Sequence, residues 1–248
     1  MATAVIITAA TASIMSTDMP AAGRWTAIFF AAIGLFTISL AVPRVLAYGV
    51  IARDAGQAPT ALANGSRLSS EAIEQARRAY RNALAVHRSD GQIAQDLARF
   101  DLLALKDGDG AALLDASSHL RSAAALMPNN AFVWSLLART AQRRQAPADE
   151  IIAFLRLSKL TGRFEASSML LRVHVAMLIW KDVPPDLQRD IRQDVGRFTS
   201  NGKLLHALFR VYLSLPYDAR ATFLDVLFDT PARRGWFQRR IVDWTKLR

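Results

Sequence analysis

Residues 81–100 read RNALAVHRSDGQIAQDLARF, and residues 121–140 read RSAAALMPNNAFVWSLLART. Laid over one another at an offset of 40, without a gap, they share Arg81/Arg121, Ala83/Ala123, Ala85/Ala125, Leu97/Leu137, Ala98/Ala138 and Arg99/Arg139. Each block has the same order: the end of a helix, a short turn (Arg88-Ser-Asp-Gly in one, Pro128-Asn-Asn in the other), and a new helix. Upstream, Ala76/Ala116 and Tyr80/Leu120 keep small and large residues in matching places. A fixed period of this size predicts stacked helical hairpins, in which each unit buries its apolar face on the next. Small residues let two helices approach, large ones fill the groove opposite, and a proline ends the second helix.

These residues carry a family resemblance. The pattern resembles the tetratricopeptide repeat, whose signature is W-x₂-L-G-x₂-Y, then A-x₃-F, then P, spread over two helices. Trp134-x₂-Leu137-Ala138 matches the first helix with Ala in place of Gly, and Phe154 falls where the large residue of the second helix belongs. Ala116-x₃-Leu120, Ala123 and Pro128 match the second helix and closing proline of the preceding repeat. Ala76-x₃-Tyr80 and Ala83 do so one repeat earlier, with Arg88 replacing the proline. Ala141 stands where Tyr is usual and Glu150 where Ala is usual; the period of 40 exceeds the usual one of about 34, with Lys106-Asp-Gly-Asp-Gly110 as the extra loop. The resemblance covers residues 71–162 and implies an α-solenoid that holds a protein or peptide on its concave face, with no catalytic residue. Offset-matched polar positions then become the candidate partner contacts: Gln95 and Arg99 on one helix, Ser135 and Arg139 on the next. The plainer alternative for Arg99 and Arg139 is that they only solvate their helices.

Upstream of the repeats, residues 25–42 (WTAIFFAAIGLFTISLAV) carry no charge. A helix needs roughly 17–25 apolar residues to cross a bilayer core, and a helix satisfies its own backbone where water cannot. Trp25 and Tyr48 suit the two interfaces, and Arg44 can reach headgroups past Pro43. The span is set at 25–48, after an N-terminal segment 1–24. Two other readings stand beside an uncleaved anchor. One is a cleaved signal peptide, with Val45-Leu46-Ala47 as its small-residue site, although signal cores run to only about 7–15 residues. The other is a buried core helix. Met15 and Met19 are alternative starts. Arg24 against Arg44 and Arg53 leans by count towards a cytoplasmic body, but by one charge; long domains translocate largely regardless of charge, and the expectation is a bacterial inner-membrane protein with a periplasmic body.

Residues 49–70 are rich in Gly, Pro, Ala and Ser and read as a linker, with Ser69 or Ser70 capping the first repeat helix. Residues 163–230 continue as helices without the signature. Leu170, Val173, Met177 and Trp180 form one stripe, Leu187, Ile191, Val195 and Phe198 a second, and Leu205, Leu208, Phe209 and Tyr212 a third. They form a continuation or cap of the solenoid. Residues 231–248 change character. Phe237, Ile241 and Trp244 share a helical face beside Trp236, among Arg233, Arg234, Arg239 and Arg240. Basic plus aromatic is the composition of an interfacial helix, so this tail is a candidate membrane-surface contact; the alternative is that its aromatics pack on the last hairpin.

The chain is 52% hydrophobic with a net charge of +10 and a pI near 10.7, enough for one sizeable helical core. It has no cysteine, which excludes disulfides and thiolate metal sites. The dispersed arginines and the lack of a recognisable module argue against nucleic acid, and an anionic lipid surface is the nearest counter-charge for a tethered protein. His87, His119, His174 and His206 form no local metal pair, and Asp107-Gly-Asp109-Gly lacks the remaining ligands of a calcium loop. No catalytic, cofactor or metal residue is predicted. The fold expected is all-α: one N-terminal transmembrane helix, a tetratricopeptide-like α-solenoid, then irregular helical hairpins. The function expected is a scaffold for protein partners in a membrane complex. The anchor-plus-repeat layout resembles accessory proteins of bacterial polysaccharide synthesis and export. The alternatives are a subunit of a glycan or lipid enzyme complex and a membrane-surface binding module.

Overall fold

The computed structural model describes residues 21–105, 110–228 and 230–246. The alternative starts Met15 and Met19 and the acidic Asp107-Gly-Asp109 turn lie outside these. Twelve α-helices are present among the described residues, without a strand. They are α1 (Ala21–Asp54), α2 (Ala58–Ala63), α3 (Ser70–Val86), α4 (Gly91–Ala104), α5 (Gly110–Leu126), α6 (Ala131–Arg143), α7 (Ala148–Thr161), α8 (Ala166–Leu178), α9 (Pro185–Thr199), α10 (Gly202–Ser214), α11 (Tyr217–Leu227) and α12 (Pro231–Lys246). The fold is all-helical, a tetratricopeptide-like stack of hairpins preceded by one long apolar helix.

The repeat visible in the sequence reappears as matched geometry. Asp90 Oδ1 accepts from the N–H groups of Gln92 (2.9 Å) and Ile93 (3.2 Å), capping α4. Forty residues on, Asn130 Oδ1 accepts from Phe132 (3.0 Å) and Val133 (3.3 Å), capping α6. Ser69 rather than Ser70 caps α3, accepting from Ala72 N–H. The signature pair Trp134 and Phe154 stacks across α6 and α7 with ring centroids 6.2 Å apart. Ala94, Ala98, Ala116, Ala123, Ala138 and Ala141 are all buried, so the helices meet over small side chains. Glu150, standing where the signature has Ala, is used electrostatically: it pairs with Arg121 (2.8 Å) and Arg144 (3.2 Å).

The region 49–70 departs from the linker reading. α1 does not stop at the end of its apolar run but continues to Asp54, and Ala58–Ala63 is a helix too. Ala47, Ile51, Ala55 and Ala58 are buried against Ala76, Ala79, Tyr80 and Ala83 of α3 and Ile93, Leu97 and Phe100 of α4. The stripe is almost all alanine, so it carries little hydrophobic signal, and Gly56, Pro59 and Gly65 around it read as loop. Gly56 holds a positive φ of 57°, which glycine adopts without a steric penalty. Gln75 Nε2 donates to the Asp54 carbonyl (2.8 Å), fastening the end of α1 to the start of α3. At the other end Arg44 pairs with Asp90 (3.4 Å), just past the end of α3. The two helices therefore run antiparallel. Below Pro43 the described side chains of α1, including Phe29, Phe30, Phe36 and Leu40, are exposed. This is the one described helix long and apolar enough to span a membrane.

From α8 onward the packing changes. Arg172 occupies a core position, donating to Asp194 (3.1 and 3.2 Å), to Ser158 (3.0 Å to Oγ, 3.2 Å to the carbonyl), and to the carbonyls of Gly162 and Arg163. Asp194 is also fully buried and takes Lys159 and Arg197, each at 3.1 Å. One ionic cluster thus joins α7, α8 and α9. Further on the core is aromatic. Phe237 of α12 contacts Phe209 (5.2 Å), Tyr212 (5.6 Å), Phe223 (5.6 Å) and Phe228 (4.8 Å) between ring centroids.

Candidate functional site

The face shared by α4, α6 and α8 carries the offset-matched residues, and the structure separates them. Gln95 is buried, and its Oε1 accepts from Asn130 Nδ2 (3.0 Å) in the seam between successive hairpins. Ser135 is buried as well. Its Oγ lies 2.6 Å from Ser158 Oγ, 3.1 Å from the Ala131 carbonyl and 3.4 Å from the Ser168 carbonyl, inside the seam of α6, α7 and α8. These two residues hold repeats together and do not reach a partner. Their polarity is what made them candidates in the sequence, but it serves buried hydrogen bonds.

Arg99 and Arg139 lie on the surface side. Arg99 is half-buried, bonded to Asp96 (3.1 Å), with its guanidinium 5.6 Å from the Phe132 ring centroid on α6. Arg139 is exposed and has no ion pair or side-chain hydrogen bond among the described residues. Loss of surrounding water, then the charge of Arg143 one turn on, pulls its pKa down. His174, which the sequence pattern marks only as a histidine outside any metal pair, follows Arg139 at an offset of 35 and takes the place in α8 that Arg99 and Arg139 take in α4 and α6. Burial, and then the charge of Arg139, push the His174 pKa down to about 4. Ser214 Oγ lies 2.7 Å from the Val211 carbonyl and 3.2 Å from His174 Nδ1, which ties α8 to α10. At neutral pH this register carries the charged Arg139, with Arg143 one turn on, and a neutral His174.

The remaining titratable contacts are ties between helices. Asp101 of α4 accepts from Arg77 Nε of α3 (2.8 Å) and lies 2.9 Å from His119 Nδ1 of α5. Burial alone would raise the Asp101 pKa. The hydrogen bonds from His119 and Arg77 outweigh it and hold the carboxyl below its ordinary range. His206, exposed, stacks on Trp244 (6.1 Å).

The C-terminal segment turns its aromatic side chains towards the protein and leaves most of its arginines outside. Phe237 is buried in the aromatic core, Trp244 lies half-buried on Phe209 (5.8 Å), and Trp236 is half-buried beside Phe237. Arg234 pairs with Asp225, while Arg233, Arg239 and Arg240 are exposed. The apolar face of α12 is spent on α10 and α11. A basic, aromatic helix has the same composition whether that face meets lipid or protein, so the sequence could not separate the two.

Neither a protein-family model nor a curated protein matches the chain. Among solved structures, a thermophilic tetratricopeptide-repeat protein of Thermus thermophilus is similar, with 15% identity and a TM-score of 0.45, over 70% of this chain and 90% of that one. The fold described above rests on the chain's own 40-residue correspondence and packing.

Proposed function

We propose that the protein is a membrane-anchored, non-catalytic scaffold that holds an acidic segment of a partner protein in the groove of α4, α6 and α8. The observation that carries this reading is Arg139: water-exposed, without an ion pair among the described residues, and in register with Arg99. A guanidinium offers a planar fork of donors that fits a carboxylate. Arg143 adds charge, and Phe132 beside Arg99 adds an aromatic surface. With 31 basic against 21 acidic residues, the chain favours acidic partners at long range. In this reading α1 is a single membrane span. A bacterial inner membrane, a periplasmic body and a place in polysaccharide synthesis or export are proposed on the anchor-plus-repeat layout alone.

The test is selection from a random peptide display library on the purified full chain in detergent. Enriched peptides should be rich in Asp and Glu. Their affinity should fall about tenfold or more in Arg139→Glu, for a lost charge-assisted contact of about 1.5–3 kcal/mol. Enriched peptides without acidic bias, or affinity indifferent to Arg139→Glu, would overturn the reading.

A further inference from the structure

The antiparallel packing of α1 on α3 fixes which edge of the stack faces the bilayer. α1 leaves its apolar run at Pro43, and Arg44 there meets Asp90, in the turn between α3 and α4. From this point the turns join one another along a single edge. A side chain at Gly91 would run into Leu126 and Met127, and one at Gly162 into Ala131, so the turns at 87–91, 127–130 and 162–165 follow side by side. Each turn carries apolar surface on its outside. Val86 is 44% exposed, Leu126 43%, Leu160 80% and Phe164 67%. Val86 and Leu126 are offset by 40, and both end their helices. These residues are too exposed to serve the core.

The same edge is basic. Arg88 and Arg163 are exposed there. Phe164 lies beneath two guanidiniums, that of Arg197 at 4.7 Å and that of Arg163 at 5.7 Å from its ring centroid. These turns carry two acids against Arg44, Arg88 and Arg163. Asp90 caps α4 and pairs with Arg44, and Glu165 accepts from Ser167 Oγ (2.9 Å). Apolar side chains ringed by arginine are the composition of a surface seated at lipid headgroups.

We propose that this turn edge, Val86–Arg88, Leu126 and Leu160–Phe164, rests on an anionic bilayer surface and holds the stack upright on the membrane. This rests on the reading of α1 as a membrane span. The edge lies where the anchor emerges.

The chain has no cysteine, so single labels are clean. Leu160→Cys, Leu35→Cys in the apolar run, and Leu114→Cys near the opposite edge are each labelled with an environment-sensitive fluorophore. The full chain is reconstituted in vesicles of phosphatidylglycerol and phosphatidylcholine carrying brominated acyl chains. The expected result is quenching at positions 35 and 160 but not at 114. Quenching at 160 should weaken in pure phosphatidylcholine and in Arg88→Glu/Arg163→Glu, while position 35 stays quenched. Quenching at 35 with none at 160 would overturn the seated edge and leave the span intact. No quenching at 35 would overturn both. Shielding of 160 from aqueous iodide that vanishes on diluting protein in the vesicles would assign the edge to a second copy and overturn the lipid contact.

Discussion

The hairpins of α3–α7 and the helices of α8–α12 solve one packing problem in two ways. In the first region alanines at matched positions let helices close on one another, and polar contacts such as Asn130–Gln95 sit in the seams. In the second the alanine signature is gone. A buried arginine–aspartate pair and a cluster of aromatic rings take its place. Small-residue packing depends on many modest contacts, each tolerant of the loss of one. A buried ion pair concentrates the dependence on one residue, because removing either partner leaves an unpaired charge out of water. The difference implies that the C-terminal region is the more brittle of the two.

The largest effect is expected from Asp194→Ala. It strands Arg172 and removes the shared partner of Lys159 and Arg197, so denaturant unfolding should show a loss of about 3–5 kcal/mol. A loss no larger than an ordinary surface substitution would show that the cluster contributes little.

Acid should sharpen the contrast. The folded pKa of His174 is about 4 against an ordinary 6.5, so folding favours its neutral form. That contribution is fully present above about pH 6.5 and is lost as pH falls toward 4. The effect is on the order of 2 kcal/mol, and His174→Gln should abolish it. Asp101, in the first region, is also held below its ordinary pKa, but from 3.8 downward. Its contribution is kept above that pH and lost only in stronger acid. Hydrogen exchange between pH 6.5 and 4 should therefore show α8–α12 opening before α3–α7. The reverse order would contradict the account.

The smallest effect belongs to the regular half. Asn130→Ala removes the cap of α6 and the bond to Gln95, and should cost about 1–2 kcal/mol in thermal or denaturant unfolding. A cost approaching that of Asp194→Ala would erase the distinction between the regions.

What was legible in the sequence follows the same division. The offset of 40 is carried by residues whose size or capping chemistry has one structural use, so Ala98/Ala138 and the turn residues before α4 and α6 pointed to hairpins. The apolar run of α1 was equally plain. Its continuation was not: Ala47, Ala55 and Ala58 are too small to mark a buried stripe, and only the partner helix shows that they face one. Arg172 reads as a surface arginine until Asp194 is placed opposite it. Gln95 and Ser135 were selected as contacts because polarity and register cannot tell a solvent-facing position from a seam. Arg139 kept its place on the surface, and His174 was within reach of the same register had it been carried one helix further. The aromatic face of α12 had two chemically equivalent destinations, and the choice lay in α10 and α11.

The apolar helix and the repeat stack form one body, joined through Ala47, Ile51, Ala55 and Ala58. Pro43, which removes one backbone hydrogen bond at the boundary, is the natural place for a hinge if the claim is wrong. Spin labels at Leu35→Cys and Leu114→Cys, on either side of Pro43, measure this directly by pulsed dipolar spectroscopy in lipid nanodiscs. A single narrow distance is expected, and it should broaden when Ile51→Asp breaks the α1–α3 contact. A broad distribution in the unaltered chain would mean that the stack swings freely from its anchor.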